Sequence, residues 1–226
     1  METERVKPIV IIPARGGSKG VRGKNLALFG HESLIARCIK TCRRCKDIGG
    51  VYVSTDSKAI EGEAALHGAK TITRPDCLAT DNATSEMAIL DAILTLRQRD
   101  VTIPEMIVMV QCTAPFMVPD DISGCIELIR DGGADHSFCA APFSGHVFQP
   151  PDTMPGGVRM PRQLDYPKWI EAGSVYAFSS APFLYGKTRF CGKGAVYAIE
   201  EKRCYEIDST HDLAVCRGIE RNGLWV

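Results

Sequence analysis

Hydrophobic and polar positions along the chain follow two periods in turn. Short apolar runs rich in β-branched residues are typical of strands buried on both faces of a parallel sheet, and they predict strands at 6–12, 51–55, 70–73, 106–111 and 135–141. Between these runs, apolar residues recur every three or four positions and predict helices at 33–45, 56–67, 85–98 and 119–130. Strands that alternate with helices imply βαβ crossovers. The pattern therefore predicts an α/β fold with a doubly wound, mostly parallel, Rossmann-like sheet.

The pattern changes after Pro142. Residues 142–168 contain six prolines and few periodic apolar positions, which is typical of a long loop or an extended arm. Further strands are predicted at 174–179, 195–199 and 205–208, and a closing helix at 211–220. No internal repeat divides the chain, so we expect a single domain over 1–226 with an arm at about 142–173.

Composition and charge exclude several classes of protein. The 226 residues are 45% hydrophobic and 24% charged, which is typical of a globular chain. The 27 basic residues balance 27 acidic ones, which argues against broad binding to nucleic acid or anionic membranes. No apolar run approaches the roughly 18 residues of a membrane span, and the acidic opening Met1–Glu4 is unlike a signal peptide. We therefore expect a cytoplasmic protein without nucleic-acid or membrane partners.

Three cysteines at helical spacing need a separate interpretation. Cys38, Cys42 and Cys45 include a C-x-x-C pair, but no second C-x-x-C supplies the other ligands of a zinc site. They continue the apolar stripe of Leu34 and Ile35 on the predicted helix. We expect these thiols to pack in the core.

The segment after the first strand is the most informative part of the chain. It reads Pro13-Ala-Arg-Gly-Gly-Ser-Lys-Gly-Val-Arg-Gly-Lys-Asn25 and combines four glycines with four cations. Glycines let a backbone approach an anion closely, and cations neutralise its charge, so the segment predicts a phosphate-binding loop. Neither G-x-G-x-x-G nor the Walker A spacing is present.

This loop resembles the I-P-A-R-G-G-S-K-G…K-N motif of the acylneuraminate cytidylyltransferase (CMP-sialic acid synthetase) family. Five further segments, in the same order, resemble motifs of that family. They are Val53-Ser-Thr-Asp56, Arg74-Pro-Asp-Cys-Leu-Ala-Thr-Asp81 with Ala83-Thr-Ser85, Gln111-Cys-Thr-Ala-Pro115, Pro161-Arg-Gln-Leu164 with Ala172-Gly-Ser-Val-Tyr176, and Glu206-Ile-Asp-Ser209. Cys112, Ala114, Ala172 and Glu206 depart from the usual residues, which are Pro, Ser, Asn and Asp.

The resemblance implies a nucleotide-diphospho-sugar transferase type of fold and a nucleotidyltransferase activity. Such an enzyme transfers CMP from CTP to the anomeric hydroxyl of a nonulosonic acid and releases pyrophosphate. Two alternatives stay open: a cytidylyltransferase for a 3-deoxy-octulosonate or its amino derivative, and a non-catalytic sugar-nucleotide sensor. Sialic, legionaminic and pseudaminic acids are all candidate acceptors. The resemblance also implies that the arm reaches a second subunit of a homodimer.

The resemblance further implies roles for individual residues. Arg15, Lys24 and Asp208 are the expected catalytic residues. The expected nucleotide-binding residues are Ala14, Arg15, Gly16, Gly17, Ser18, Lys19, Lys24, Asn25, Arg74 and Ser85. The expected acceptor-binding residues are Gln111, Arg162, Gln163 and Tyr176.

A pair of carboxylates points to a metal. Glu206 and Asp208 are two residues apart on a predicted strand, so their side chains share a face. In isolation such a pair also fits a solvated acidic edge, but the resemblance implies that both bind Mg²⁺, which prefers hard oxygen ligands and for which Mn²⁺ can substitute.

Overall fold

A computed structural model describes residues 6–143 and 168–225 of the chain. Within them, seven strands form one sheet in the order β5-β4-β1-β6-β8-β7-β9, and a two-stranded hairpin β2-β3 lies outside it. The neighbours β5/β4, β4/β1, β1/β6 and β7/β9 run parallel, whereas β8 runs antiparallel to β6 and β7. The strands are β1 (Ile9–Pro13), β2 (Leu28–Phe29), β3 (Glu32–Ser33), β4 (Gly50–Thr55), β5 (Lys70–Thr73), β6 (Met106–Val110), β7 (His136–Phe143), β8 (Lys168–Ser179) and β9 (Gly194–Ala198).

The helices begin at residues suited to capping them. Ser33 Oγ accepts a hydrogen bond from the Ala36 amide, which confirms Ser33 as the N-cap of the first helix. Thr84 and Ser209 cap two others in the same way. The described helices are α1 (Leu34–Arg44), α2 (Lys58–Leu66), α3 (Ser85–Gln98), α4 (Pro119–Arg130), α5 (Ser180–Gly186) and α6 (Thr210–Arg221).

The core lies on both faces of the sheet, as a doubly wound fold requires. Alternate residues of β1 point to opposite faces, so Val10 and Ile12 pack in one hydrophobic cluster and Ile9 and Ile11 in another. The first cluster includes residues of α1, α2 and α4, and the second includes residues of α3 and α5. The predicted fold class is thereby confirmed.

The cysteine stripe packs as expected. Cys38, Cys42 and Cys45 are all buried in the cluster that α1 forms with the sheet. Their thiols are free, and they take the place of small hydrophobic side chains there.

Four features differ from the pattern-based predictions. Residues 205–208 form no strand, because the Ile207 amide donates to the Thr113 carbonyl oxygen of a loop (2.9 Å) instead of a neighbouring strand. The hairpin β2-β3 and the short helix α5 were not predicted. Pro142 and Phe143 are not loop residues: they end β7 and pair with Trp169 and Lys168 of β8.

Residues 168–173 of the predicted arm thus begin β8, and residues 144–167 lie outside the described residues. Among the helices that are described, none has the length and apolar character needed to cross a bilayer. The parallel strands β1, β4 and β5 end at the same edge of the sheet as β6, and loops from that edge build the candidate site.

Candidate active site

The glycine-rich loop that follows β1 is anchored to the carboxyl end of β4. The Ala14 amide donates to the Ser54 carbonyl oxygen (2.9 Å), and the Gly16 amide donates to Asp56 Oδ1 (2.8 Å). A Cβ on Gly16 would lie 3.0 Å from the Ser57 Cβ, so the loop packs tightly against the segment that follows β4. The amides of Ala14 and Gly16 are therefore occupied by the protein, and Asp56 shapes the loop.

Cations of this loop are held by carboxylates from other parts of the chain. Arg15 Nη2 lies 2.8 Å and Lys19 Nζ 2.6 Å from the carboxylate of Asp81. Lys24 Nζ lies 2.9 Å from Asp208 Oδ1. The hydrogen bonds from Lys19 and Arg15 lower the pKa of Asp81 below its ordinary value, so its carboxylate stays ionised.

The base of the loop is closed by Asn25. Its Nδ2 donates to the Arg15 carbonyl oxygen (2.9 Å), and its Oδ1 accepts from Cys112 Sγ (3.0 Å). Asn25 and Cys112 are both buried. This amide joins the two ends of the loop to the segment that follows β6.

Arg74 is the most buried cation of the site. It is 6% exposed, and its guanidinium makes two hydrogen bonds with Ser54. Nε donates to the Ser54 Oγ (3.2 Å), and Nη2 donates to the Ser54 carbonyl oxygen (2.8 Å). Burial lowers the pKa of Arg74, while the nearby charges of Asp56 and Asp91 oppose that shift. Burial also raises the pKa of Asp91, against the favourable charge of Arg74. The two Ser54 contacts fix the direction in which the guanidinium faces the site.

These side chains converge on one cavity of about 200 Å³. Its wall includes the first residue of α3, so the positive end of a fourteen-residue helix also faces it. The lining residues are Pro13, Arg15, Ser18, Lys19, Lys24, Asn25, Arg74, Ala83, Thr84, Ser85, Gln111 and Thr113. The structure thus brings together most of the predicted nucleotide-binding residues and Gln111, while Ala14 is buried beneath the loop.

The two acidic residues near the C-terminal helix flank this loop. The side chain of Asp208 is exposed, whereas Glu206 is half-buried. Burial, followed by the charges of Asp208 and Glu171, raises the pKa of Glu206 to about 7. Gly173 has a φ of 58°, and a Cβ there would lie 1.6 Å from Glu206 Oε1, so glycine is needed beside this carboxylate.

The predicted acceptor-binding residues that the structure describes, Gln111 and Tyr176, contact β8 and the segment after α5. The backbone amide of Gln111 donates to the Ser174 carbonyl oxygen (3.0 Å), which fixes the end of β6 against β8. Tyr176 is buried, its hydroxyl donates to Glu171, and the Arg189 guanidinium lies 4.3 Å from its ring centroid. The predicted Arg162 and Gln163 lie outside the described residues.

The contacts of several site residues were not predicted from the sequence. Ser54, Asp81, Cys112 and Arg189 contact residues of other segments, whereas Glu171 contacts Tyr176 five residues further along β8. Asp81 is the last residue of the segment Arg74-Pro-Asp-Cys-Leu-Ala-Thr-Asp81, and its place in this segment was the one signal that it belongs to the site. The contacts of Cys112 with Asn25 and of Arg189 with Tyr176 span 87 and 13 residues, and neither follows from local spacing.

Comparison with known proteins identifies the family. Residues 9–155 match the sequence profile described as Cytidylyltransferase, and the chain belongs to that family. Over 126 residues, 55% of this chain and 54% of the relative, it is 34% identical to the CMP-N,N'-diacetyllegionaminic acid synthase of Legionella pneumophila. It is 36% identical over 126 residues to the N-acylneuraminate cytidylyltransferase of Escherichia coli, covering 56% of this chain and 29% of the relative.

A third relative matches over more of the chain. The N-acylneuraminate cytidylyltransferase A of Danio rerio is 28% identical over 217 residues, which is 91% of this chain and 49% of the relative. The chain spans about half the length, or less, of these three curated relatives.

Solved structures share the fold. A CMP:2-keto-3-deoxy-manno-octonic acid synthetase complexed with CTP superposes with a TM-score of 0.72 at 15% identity, over 96% of this chain and 99% of that one. A 4-diphosphocytidyl-2C-methyl-D-erythritol synthase from Anaerococcus prevotii gives 0.70 at 14% identity, over 95% and 96%. At these identities the likeness concerns the fold, and it agrees with the expected sugar-nucleotide transferase architecture.

Proposed function

We propose that the protein is a cytidylyltransferase that transfers CMP from CTP to the anomeric hydroxyl of a nonulosonic acid. The observation that carries this proposal is the convergence of Arg15, Lys19, Lys24 and Arg74 on one cavity, although the whole chain has a net charge of 0. Such a concentration of cations suits a triphosphate, whose charge must be neutralised before a second anion can approach.

The reaction is a displacement at the α-phosphorus of CTP. The anomeric oxygen of the acceptor forms a bond to that phosphorus and loses its proton, while the bond to the β-phosphate bridging oxygen breaks and pyrophosphate leaves. Arg15 and Lys24 stabilise the negative charge that builds up on the leaving phosphates. Asn25, Arg74 and Ser85 hold the nucleotide around these two cations, with Gly17, Ser18 and Lys19 along the phosphates, whereas the amide of Gly16 is already bonded to Asp56.

The carboxylates of Glu206 and Asp208 fit a divalent cation. Their charges are close enough for Asp208 to raise the pKa of Glu206, and a cation between them would relieve that repulsion. A pair of carboxylates suits Mg²⁺, since this ion usually takes one or two carboxylates together with substrate phosphates. When bound, Mg²⁺ or Mn²⁺ would neutralise phosphate charge and polarise the reacting oxygens.

Chelation tests the cation. Activity should vanish with a chelator and return with Mg²⁺ or Mn²⁺, and Asp208→Asn, which keeps the shape of the side chain, should remain inactive after the ion is restored. Full activity in the presence of excess chelator would contradict the assignment.

The acceptor is proposed from the relatives and from the end of β6. The relatives named above are synthases for legionaminic and acylneuraminic acids, whereas the likeness to the octonic acid enzyme is one of fold. We propose that Gln111 and Tyr176 contact the sugar or line the acceptor site, and that Arg162 and Gln163 of the arm complete this site. An arginine suits the acceptor's carboxylate because its planar fork binds both oxygens.

We also propose that the enzyme is a cytoplasmic homodimer. All ten cysteines are free thiols, as in proteins of reducing compartments. The Pro-rich segment between β7 and β8 is longer than a compact hairpin connection needs, and long connections of this kind usually have a function.

Pyrophosphate release is the direct test of the function. The purified protein should release pyrophosphate with CTP and a nonulosonic acid, and much less with ATP, GTP or UTP or without the sugar. A panel of sialic, legionaminic, pseudaminic and 3-deoxy-octulosonic acids would identify the acceptor. Release with the octulosonic acid alone would replace the proposed acceptor class, and no release with any CTP–sugar pair would overturn the proposal.

A further inference from the structure

The thiol of Cys112 occupies an unusual place in the candidate site. It is buried at the end of β6, and its Sγ lies 3.0 Å from Asn25 Oδ1. The motif that this segment resembles has proline at the same position, and a proline side chain donates no hydrogen bond. A contact made by this thiol is therefore a property of this chain.

The direction of the hydrogen bonds follows from the atoms involved. The Arg15 carbonyl oxygen can only accept, so the amide of Asn25 must turn its Nδ2 toward Arg15 (2.9 Å). Asn25 Oδ1 then faces Cys112, and because this oxygen also can only accept, the thiol must be the donor. Burial raises the pKa of Cys112 to about 12, so the thiol keeps its proton at neutral pH.

The orientation of this amide matters for the nucleotide. Asn25 lines the cavity, and its NH₂ group has a second hydrogen besides the one donated to Arg15. If the amide were rotated by half a turn, Oδ1 would meet the Arg15 carbonyl oxygen, the loop would lose its closing bond, and the cavity would face a different set of atoms.

We propose that Cys112 is a positioning residue for the nucleotide: its S–H donates to Asn25, fixes the orientation of that amide, and so holds the phosphate loop closed in the form that binds CTP. The inference rests on the proposed function for the identity of the nucleotide. It assigns no chemistry to the sulfur, which stays a protonated donor throughout.

The test compares two substitutions of one residue. Cys112→Ala removes the donor, and Cys112→Ser keeps one. By titration of the protein with CTP, the alanine variant should bind about five- to tenfold more weakly, because it leaves the buried Asn25 Oδ1 without a donor, while the serine variant should stay within about twofold of wild type. In turnover, KM for CTP should rise in the alanine variant with kcat nearly unchanged.

Two controls separate positioning from packing. Cys125→Ala removes another fully buried thiol from the same hydrophobic cluster, and it should leave the affinity for CTP unchanged. In an Asn25→Ala background, Cys112→Ala should weaken CTP binding no further, because the thiol acts through the amide. Equal losses with and without Asn25 would overturn the inference, as would an alanine variant that binds CTP like wild type.

A double-mutant cycle in the free energy of unfolding, measured without nucleotide, tests the pair independently of CTP. Coupling between positions 25 and 112 is expected, and its absence overturns the contact itself. If the cycle shows this coupling but the wild-type protein does not bind CTP, the proposed function fails while the loop-closing role of Cys112 stands. Should Cys112→Ala fail to fold, the serine variant carries the test, since a tenfold loss of CTP affinity in that variant contradicts the role of the donor.

Discussion

At the scale of single residues, the cations of the phosphate loop are already paired before any ligand is present. Arg15 and Lys19 share Asp81, and Lys24 contacts Asp208. A triphosphate therefore meets cations whose positions are set by carboxylates. The two kinds of carboxylate contact should respond differently to mutation, because Asp208 is a proposed metal ligand and Asp81 is not.

Lys24→Ala should lower turnover with CTP about a hundredfold or more, since a charge-assisted contact to the reacting phosphates is lost. The variant should fold normally, because the lysine packs at the edge of a loop and not in the core. Lys58→Ala, which removes an exposed lysine paired with Glu61 on α2, is the matched control and should retain activity. Near-normal turnover of folded Lys24→Ala would remove this residue from the site.

Asp81→Asn should strengthen the binding of CTP. The substitution keeps the shape of the side chain but removes the charge that competes with the triphosphate for Arg15 and Lys19. We expect KM for CTP to fall by about two- to fivefold, the range expected for exposed ion pairs. Asp76→Asn, at an exposed position of the same loop, should leave KM unchanged. A rise in KM for Asp81→Asn would mean that Asp81 orients the cations and does not compete with the ligand.

The carboxyl of Glu206 should make stability depend on pH. Its pKa in the folded protein is raised to about 7, mainly by burial and then by Asp208 and Glu171, so the folded state holds its proton more tightly than the unfolded state does. Stability from this group is present at low pH and is lost as the pH rises from the unfolded pKa through about 7.

Urea unfolding of Glu206→Gln without metal measures this effect. The variant should gain stability relative to wild type between pH 5 and pH 8, whereas Glu201→Gln, at an exposed position, should show no such trend. A difference between Glu206→Gln and wild type that is constant with pH would contradict the raised pKa.

At the scale of elements, the loops of the site fit together through glycines. A Cβ on Gly20 would lie 1.9 Å from the carbonyl oxygen of Asp208, so the phosphate loop touches the backbone of the acidic segment at this residue. Gly173 allows the corresponding close approach of β8 to Glu206. A Cβ at Gly20 would displace the Asp208 backbone, and a Cβ at Gly173, where φ is 58°, would displace the Glu206 carboxylate.

Gly20→Ala should therefore separate the phosphate loop from Asp208. We expect turnover to fall by an order of magnitude or more, because a shift of about 1 Å in a site that positions charges has effects of this size. Gly62→Ala, inside α2 with open space around its Cβ, should leave turnover unchanged and stabilise the protein by about 0.5–1 kcal/mol. Unchanged turnover in Gly20→Ala would show that this contact does not hold the site together.

The elements that could be predicted from the sequence are those with long periodic patterns and suitable caps. The helix predicted at 33–45 was found as α1 with Ser33 as its cap, and those predicted at 85–98 and 119–130 have the same bounds in the structure. The strand predicted at 205–208 was wrong, because the Ile207 amide donates to the Thr113 carbonyl oxygen of a loop and not to a neighbouring strand. The hairpin and α5 are too short to show a period, and α5 also contains a proline.

Motifs predicted the site better than they predicted its internal contacts. The loop residues Arg15 and Lys24 line the cavity, because a loop that follows a parallel strand lies at the carboxyl edge of the sheet, where such folds form their clefts. Asp81 and Cys112 act through tertiary contacts that depend on where two loops meet, and no spacing in the sequence specifies that meeting.

At the scale of the whole molecule, the cavity proposed to bind the nucleotide is lined by described residues, whereas the proposed acceptor site depends on the arm. If the arm completes the site of a second subunit, then two subunits with different defects should restore one another.

Mixed dimers test this arrangement. Lys24→Ala should inactivate the nucleotide site of its own subunit, and Arg162→Ala should inactivate the acceptor site that its arm completes in the partner. Each variant alone should be nearly inactive, while co-expression should restore about a quarter of wild-type activity, because half of the dimers are mixed and each has one intact site. Light scattering should show a dimer at assay concentrations for all three preparations. Absence of restored activity in a confirmed mixed dimer would place Arg162 in its own subunit's site, and an active monomer would contradict the dimer altogether.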